Sequence, residues 1–357
     1  MRNTARAALT LAATMSTVAA LAAGLTAAAA PAAAATTYTI TNLGSLGLGT
    51  VGSAVNATGQ VTGYSYLSTF VPTPECPPVY GNNKKNCVEH PWHAFLYGSG
   101  QMTDLGTLGG GDFSGGNAVN SSGQVAGWST TKNGASHAFL WNGQKMTDLG
   151  QQAPLNGSDS DAAGINDSGQ VVGRYGTTGT PEHAFLYSNG TMTGLPEPSF
   201  TGPNGCEADA INNTGQIAGS CADNTGATHL VLWHNGAVTD LGTLSPPGSY
   251  SFTWAVAINN NGQIAGTVNA GGTTEGFSYS NGTLANLGSF LPAAINDNGV
   301  MVGGDQIDTA GTVQNLNTLI PAGSGYQIQD ATAINNNGQI VASATGNSSG
   351  AVLLNPS

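Results

Sequence analysis

The sequence predicts an all-β chain folded as a seven-bladed β-propeller with four-stranded blades, its ring closed by the N-terminal strand joining the C-terminal blade. Three observations carry that expectation. A ten-residue core recurs seven times, each repeat holds four strand-like segments, and the two chain ends supply complementary parts of one repeat. The core reads A-[IV]-N-x-x-G-Q-[IV]-x-G, with copies beginning at Ala54, Ala118, Gly164, Ala210, Ala257, Ala294 and Ala333. Four short strands per ~40–45 residues is the period of a propeller blade. A β-solenoid is the rival architecture, but its coils are shorter and would not need three hairpin turns per repeat.

Each element of the repeat has a local reason. The I-N-x-x-G and N-G stretches put Asn and Gly where a hairpin turn needs positive φ. Glycine density, with 53 glycines in the chain, and the lack of any 3.6-residue apolar stripe argue against helices. After the core comes HAFLY (93–97), HAFLW (137–141), HAFLY (183–187), HLVLW (229–233) or EGFSY (275–279). After that comes MTDLG at 102 and 146, MTGL at 192, VTDLG at 238 and LANLG at 284. The sixth repeat is degenerate: residues 304–316 lack the HAF segment and offer only VQNL at 313. The chain opens with YTITNLGSL at 38, the counterpart of the MTDLG strand, and closes with GAVLLNP at 350, the counterpart of HAFLW. If the segments run from axis to rim in chain order, the last blade lacks its outer strand and the N-terminus supplies it, which leaves no open sheet edge.

These alternating HAF-L-[WY], M-T-D-L-G-T-L and I-N-x-x-G-Q-V-V-G segments resemble the extracellular HAF repeat family over nearly all of residues 38–354. The resemblance implies an exported repeat protein, and it brings no assigned reaction and no catalytic residues.

Residues 1–35 read as a secretory signal peptide. Arg2 and Arg6 supply the basic start, Ala7–Leu25 the apolar stretch, and the alanines after Pro31 a cleavage region near Ala35. The propeller is then one domain, 36–357, with an insertion at about 68–92. Past the leader no apolar run reaches the ~18 residues a membrane span needs. The formal net charge is −12, and only five basic residues remain beyond the leader against 19 acidic ones. Such a chain repels phosphate backbones and anionic lipid, which excludes nucleic-acid and membrane-surface roles. A secreted monomer is expected. Cys76, Cys87, Cys206 and Cys221 are an even set in an exported chain and imply disulfides. Cys206 and Cys221 are equidistant from the Asn213–Thr214 turn, and Cys76 and Cys87 from the Gly81–Asn82 turn, so two local cross-strand bridges are expected. Neither pair has the C-x2-C spacing of a zinc site.

Candidate chemistry is sparse. The Asn of each core (Asn56, Asn120, Asn166, Asn212, Asn259, Asn296, Asn335) lacks the flanking carboxylates of a calcium loop and reads as a turn residue bonding local amides. His93, His137, His183 and His229 fall one per blade, too scattered to share a metal, and read as structural or hydrogen-bonding residues. The in-register Tyr97, Trp141, Tyr187, Trp233 and Tyr279 read as blade packing. No G-x-S-x-G elbow, P-loop, dinucleotide fingerprint or H-E-x-x-H is present.

Residues that break the repeat are more informative. N-x-x-G and N-G turns keep their length while the other two connections vary, so one face is uniform and the other carries the variable loops, where function usually sits. Trp92, Trp128, Arg174, Tyr175 and Trp254 do not follow from the repeat and lie on or near that face; they are the candidate ligand-binding residues. Aromatic rings among Asn, Asp and Gly suit sugar stacking. The expected function is therefore non-catalytic recognition of extracellular polysaccharide or cell-surface material. A glycan-active hydrolase or lyase needs only two gathered carboxylates and is the alternative; a purely structural surface protein is the third class. No cofactor is required, and calcium is the one the sequence leaves room for. Asp161, Glu207 and Asp330 occupy one position on the third, fourth and seventh core strands and would converge on the axial channel, where a cation would relieve their repulsion.

Overall fold

The structure, a computed structural model, describes residues 36–357 except 70, 73–87, 156–158, 177–181, 244–250 and 271. Among the described residues the chain forms seven four-stranded antiparallel sheets, and six of them follow chain order. Blade 1 comprises Thr50–Val55, Val61–Tyr66, Trp92–Gly98 and Gln101–Gly106. Blade 3 comprises Asp159–Ile165, Val171–Gly176, His183–Ser188 and Thr191–Gly194, and blade 4 runs from Thr201–Ile211 to Ala237–Gly242. In each blade the A-x-I-N segment is innermost: inner strands of successive blades touch one another around the axis, including Thr50–Val55 against Tyr326–Ile334. The seventh sheet is the exception that closes the ring. Its three C-terminal strands, Tyr326–Ile334, Ile340–Gly346 and Gly350–Pro356, take Tyr38–Asn42 as their outer partner, from Tyr38↔Pro356 to Asn42↔Val352.

The expected turns form, but in the core N-x-x-G turns only the glycine, such as Gly59 or Gly215, takes positive φ, and the Asn does not. At the outer hairpins the paired residues Ser99–Gly100, Asn189–Gly190, Asn235–Gly236 and Asn281–Gly282 all have positive φ, near +50° and then near +80°, which is the type I′ geometry that matches strand twist. Each inner strand except that of blade 6 carries a bulge one or two residues before the A-[IV]-N, as between Ala208 and Ala210. The core lies between blades rather than in one centre. Phe95, Phe139, Phe185 and Phe277 of the HAF segments are fully buried in four different inter-blade clusters, and Trp233 is buried in a fifth. The in-register aromatics thus pack blades, as expected.

Cys206 and Cys221 stand directly opposite in the blade 4 register and are joined, as the turn arithmetic predicts. Cys76 and Cys87 lie outside the described residues, with most of the 68–92 insertion; its flanks pair as a short ribbon, Val71–Pro72 with Val88–Glu89. Blade 6 is complete but small, its second and third strands being only Met301–Gly303 and Gln306–Thr309. The one helical element described is a single 3-10 turn, Leu316–Thr318. No helix of the described residues is long and apolar enough to cross a membrane.

Candidate functional site

The uniform face is built by the repeated Asn. Each Asn side-chain oxygen accepts local amides, as expected for a turn residue: Asn212 Oδ1 accepts from the N–H groups of Thr214 and Gln216. The side-chain nitrogen does something that single-repeat reasoning misses. Asn56 Nδ2 donates to Asn120 O at 2.8 Å, Asn120 to Asn166 O, Asn166 to Asn212 O, and Asn212 to Asn259 O. Asn259, Asn296 and Asn335 continue to Asn296 O, Asn335 O and back to Asn56 O at 2.9 Å. Seven buried side chains form a closed hydrogen-bonded ring, so each blade satisfies its neighbour. This mouth holds an open cavity of about 240 Å³ lined by the core Ile and Val residues and by the repeated Asn. Its two carboxylates are already satisfied: Asp167 accepts from Ser121 N and Asn213 Nδ2, and Asp297 from Asn260 and Asn336. The arrangement is structural.

The scattered histidines also take hydrogen-bonding roles. Within a blade His93 pairs with Asp104, His137 with Asp148 and His229 with Asp240, while His183 uses Glu197. The Asp of MTDLG could have pointed to this, since HAF and MTDLG run antiparallel at constant spacing.

The opposite face holds the residues that break the repeat. Tyr64, Trp128 and Arg174 occupy one strand position in blades 1, 2 and 3, opposite Val51, Gly115 and Asp161 of the inner strands. Trp92 and Glu182 are also equivalent; each bridges the next blade, to Phe113 and Gly205. The two seams differ in chemistry. Between blades 1 and 2, Trp92 packs 4.3 Å from Phe113 and about 6 Å from Tyr64 and Tyr66, a half-buried aromatic group whose rings meet in tilted and edge-on arrangements. In blade 2 the Trp128 indole lies over Gly115, where a Cβ would stand 3.0 Å from Nε1. Tyr175 is half-buried beside His183, and burial first, then the Glu197 charge, pushes its phenol up. Trp254 lies on the blade 5 inner strand opposite Thr267; its side chain lies outside the described groups.

The seam between blades 3 and 4 is charged. Arg174 Nη1 donates to Glu182 Oε2 at 2.9 Å and Glu207 Oε2 at 3.3 Å, with the arginine side chain 45% exposed. Gly205 permits the approach. Its φ is +73°, and a Cβ there would meet Glu182 O at 1.8 Å. Behind the arginine, Asp161 accepts from Asn117 Nδ2 of blade 2 at 2.8 Å. Burial pushes the Asp161 carboxyl up to about 6; Arg174 and the Asn117 bond pull down, and the Glu207 charge pushes up. Glu207 is raised by burial and by Glu182 against the pull of Arg174. Asp209, the blade 4 bulge residue, is raised well above the ordinary carboxylate range by burial and the Glu207 charge, and its Oδ2 has neither solvent nor a hydrogen-bond partner. Arg174 is held cationic: burial alone would lower it, but the charges of Glu207, Glu182 and Asp161 outweigh that.

Of the three carboxylates expected to converge, Asp161 and Glu207 do sense one another. Asp330 is exposed on blade 7, opposite Ser343, and is not among the charges that perturb them. Asp209 was not anticipated, because only the bulge turns it toward this group. No cluster of three or more metal-type ligands occurs among the described residues.

No family model matches the chain, and no curated protein matches it. Solved structures do. TolB from Acinetobacter baumannii aligns at 12% identity and TM-score 0.42, over 74% of this chain and 60% of that one. The Aleuria aurantia lectin, solved as an N224Q mutant with Fucα1-6GlcNAc, aligns at 12% identity and TM-score 0.39, covering 90% and 96%. The β-propeller domain of the Trilobed protease from Pyrococcus furiosus aligns at 8% identity and TM-score 0.46, covering 86% and 95%. This chain therefore spans about 60% of the length of the TolB structure.

Proposed function

We propose that this is an exported, non-catalytic recognition module for polyhydroxylated material of the glycan type, and that the seam between blades 3 and 4 is its principal contact. The observation that supports this reading most is Arg174. Its planar guanidinium is held in place by carboxylates from two blades, yet the side chain remains half exposed and the guanidinium has donors to spare. A fixed donor flanked by fixed acceptors matches the alternating hydroxyls of a sugar. One blade away, the equivalent position presents the partly exposed Trp128 indole, an apolar surface for a ring face. The test is titration of the mature protein with a glycan panel, read by calorimetry. Arg174→Ala is expected to weaken binding at least about tenfold, because it removes the donor and leaves Glu207 facing Glu182. Binding unchanged in that variant would remove this seam from the reading, and the absence of any saturable ligand would favour a purely structural protein.

A hydrolase or lyase reading has one observation in its favour. Asp161, raised to about 6 chiefly by burial, lies beside Glu207, which burial also raises, so two carboxyls that hold their protons longer than usual share one seam. Turnover of a glycan by the parent protein, abolished in Asp161→Asn, would replace the binding reading.

A further inference from the structure

We propose that the step between blades 6 and 7 is a second binding subsite, for an uncharged pyranoside; only the ligand class rests on the reading above. The step follows from the degenerate sixth repeat. In blade 1 the middle hairpin extends past Gly63↔Phe95 through Tyr64↔Ala94, Ser65↔His93 and Tyr66↔Trp92. Blade 6 stops at the equivalent level, Gly303↔Gln306, and turns at once through Gly304 and Asp305. Three cross-strand pairs are missing, about 10 Å of blade height at 3.3–3.4 Å per residue.

Blade 7 keeps its full height. Ala331 N donates to Gly304 O at 2.6 Å, which fixes the relative level, and the inner strand then continues outward to Tyr326, still paired with Gly346. Part of the missing edge is replaced by one side chain. Asn317 Nδ2 donates to Ile328 O at 3.0 Å, and its Oδ1 accepts from Ile328 N at 2.7 Å, as a neighbouring strand would. Leu316, fully buried, pins the same turn through its N–H to Asp305 O. What remains beyond Asn317 is an open cavity of about 470 Å³, within the range of small-ligand sites.

The lining is of two kinds. Ile320, Pro321 and Tyr326 supply apolar surface. Asp305, Asn317 and Gln327 supply polar groups; Asp305 uses Oδ2 to accept from Asn315, while the Gln327 side chain is exposed and has no partner. One carboxylate and no cation line the cavity, which disfavours uronates and sulfated sugars and suits a neutral ring with hydroxyls on its edge. The site differs in charge from the Arg174 seam and lies across the ring from it.

The test is residue-resolved NMR on the isotope-labelled mature protein, titrated separately with methyl gluco-, galacto-, manno- and fucopyranosides, with methyl glucuronide as the charged control. Saturable shifts at Asp305 and across Asn315–Gln327 are expected with at least one neutral glycoside, and weaker ones with the glucuronide. Ala322→Trp, on the exposed loop, should fill the cavity and abolish them with the fold intact; Gln327→Ala should weaken them several-fold. No saturable shift in that segment with any neutral glycoside, or an unchanged response in Ala322→Trp, overturns the proposal. Shifts at Arg174 and Glu207 report separately on the blade 3/4 seam: their presence with silence here removes only this subsite, and the reverse removes only that seam.

Discussion

Replacing Asp161 by Asn should stabilise the protein at neutral pH, although it deletes a charge that faces an arginine. The folded-state carboxyl is raised from its ordinary 3.8 to about 6, chiefly because burial disfavours its charged form. For an acid raised on folding, the stabilising contribution is complete below the unfolded value and is lost as pH climbs through the folded one. Asp161 therefore favours the fold below about pH 4 and loses that advantage by about pH 7. A roughly hundredfold change in proton affinity corresponds to about 3 kcal/mol at most. Asn keeps the oxygen that accepts from Asn117 Nδ2, and Arg174 keeps Glu182 and Glu207, so little else is removed. Urea unfolding of both proteins at several pH values between about 4 and 8 measures the difference. The curves should nearly coincide at the acid end, with the variant ahead by about 2–3 kcal/mol at the neutral end. Glu207 and Asp209, both raised, retain the same sign of pH dependence in the variant, so its slope should fall without vanishing. A variant less stable than its parent at about pH 7, or a separation that does not change with pH, would refute the argument.

Other expectations follow from the closures in the ring. Asn212→Ala removes the buried donor to Asn259 O and the part-buried acceptor for Thr214 N and Gln216 N, and should cost about 2–4 kcal/mol in denaturant unfolding. Deleting residues 38–42 strips the outer strand from blade 7 and exposes the edge of Gly350–Pro356, so the truncated protein should melt well below the parent and show concentration-dependent aggregation by light scattering. Replacing Cys206 and Cys221 together by Ala opens a 15-residue loop and should lower stability by about 3 kcal/mol, measured against the parent under non-reducing conditions.

Periodicity made most of the architecture legible. Seven cores, four segments per repeat and complementary ends lead to the blade count, the strand order and the N-terminal closure, because each is a property of local pattern repeated along the chain. The Cys206–Cys221 bridge was readable for the same reason: equidistance from a turn is local arithmetic. The Asn ring was only half readable. Oδ1 bonds within four residues, whereas Nδ2 reaches a carbonyl 37 to 64 residues away in the chain, or 279 at the closing seam.

The variable face is where tertiary structure decides. Arg174 stands out in sequence only as a residue that breaks the repeat; its partners Glu182 and Glu207 come from two blades. Asp330 shares the register of Asp161 and Glu207, but a seven-bladed ring sets blade 7 away from blades 3 and 4, and matching register is not proximity. Asp209 joins the group because a bulge adds one residue to the strand, which a period-2 reading cannot anticipate. The cavity beside Tyr326 exists because blade 6 is short where blade 7 is not, a difference in height visible only once the two stand side by side. Repeats encode the blade; the seams depend on which unlike residues adjacent blades bring together.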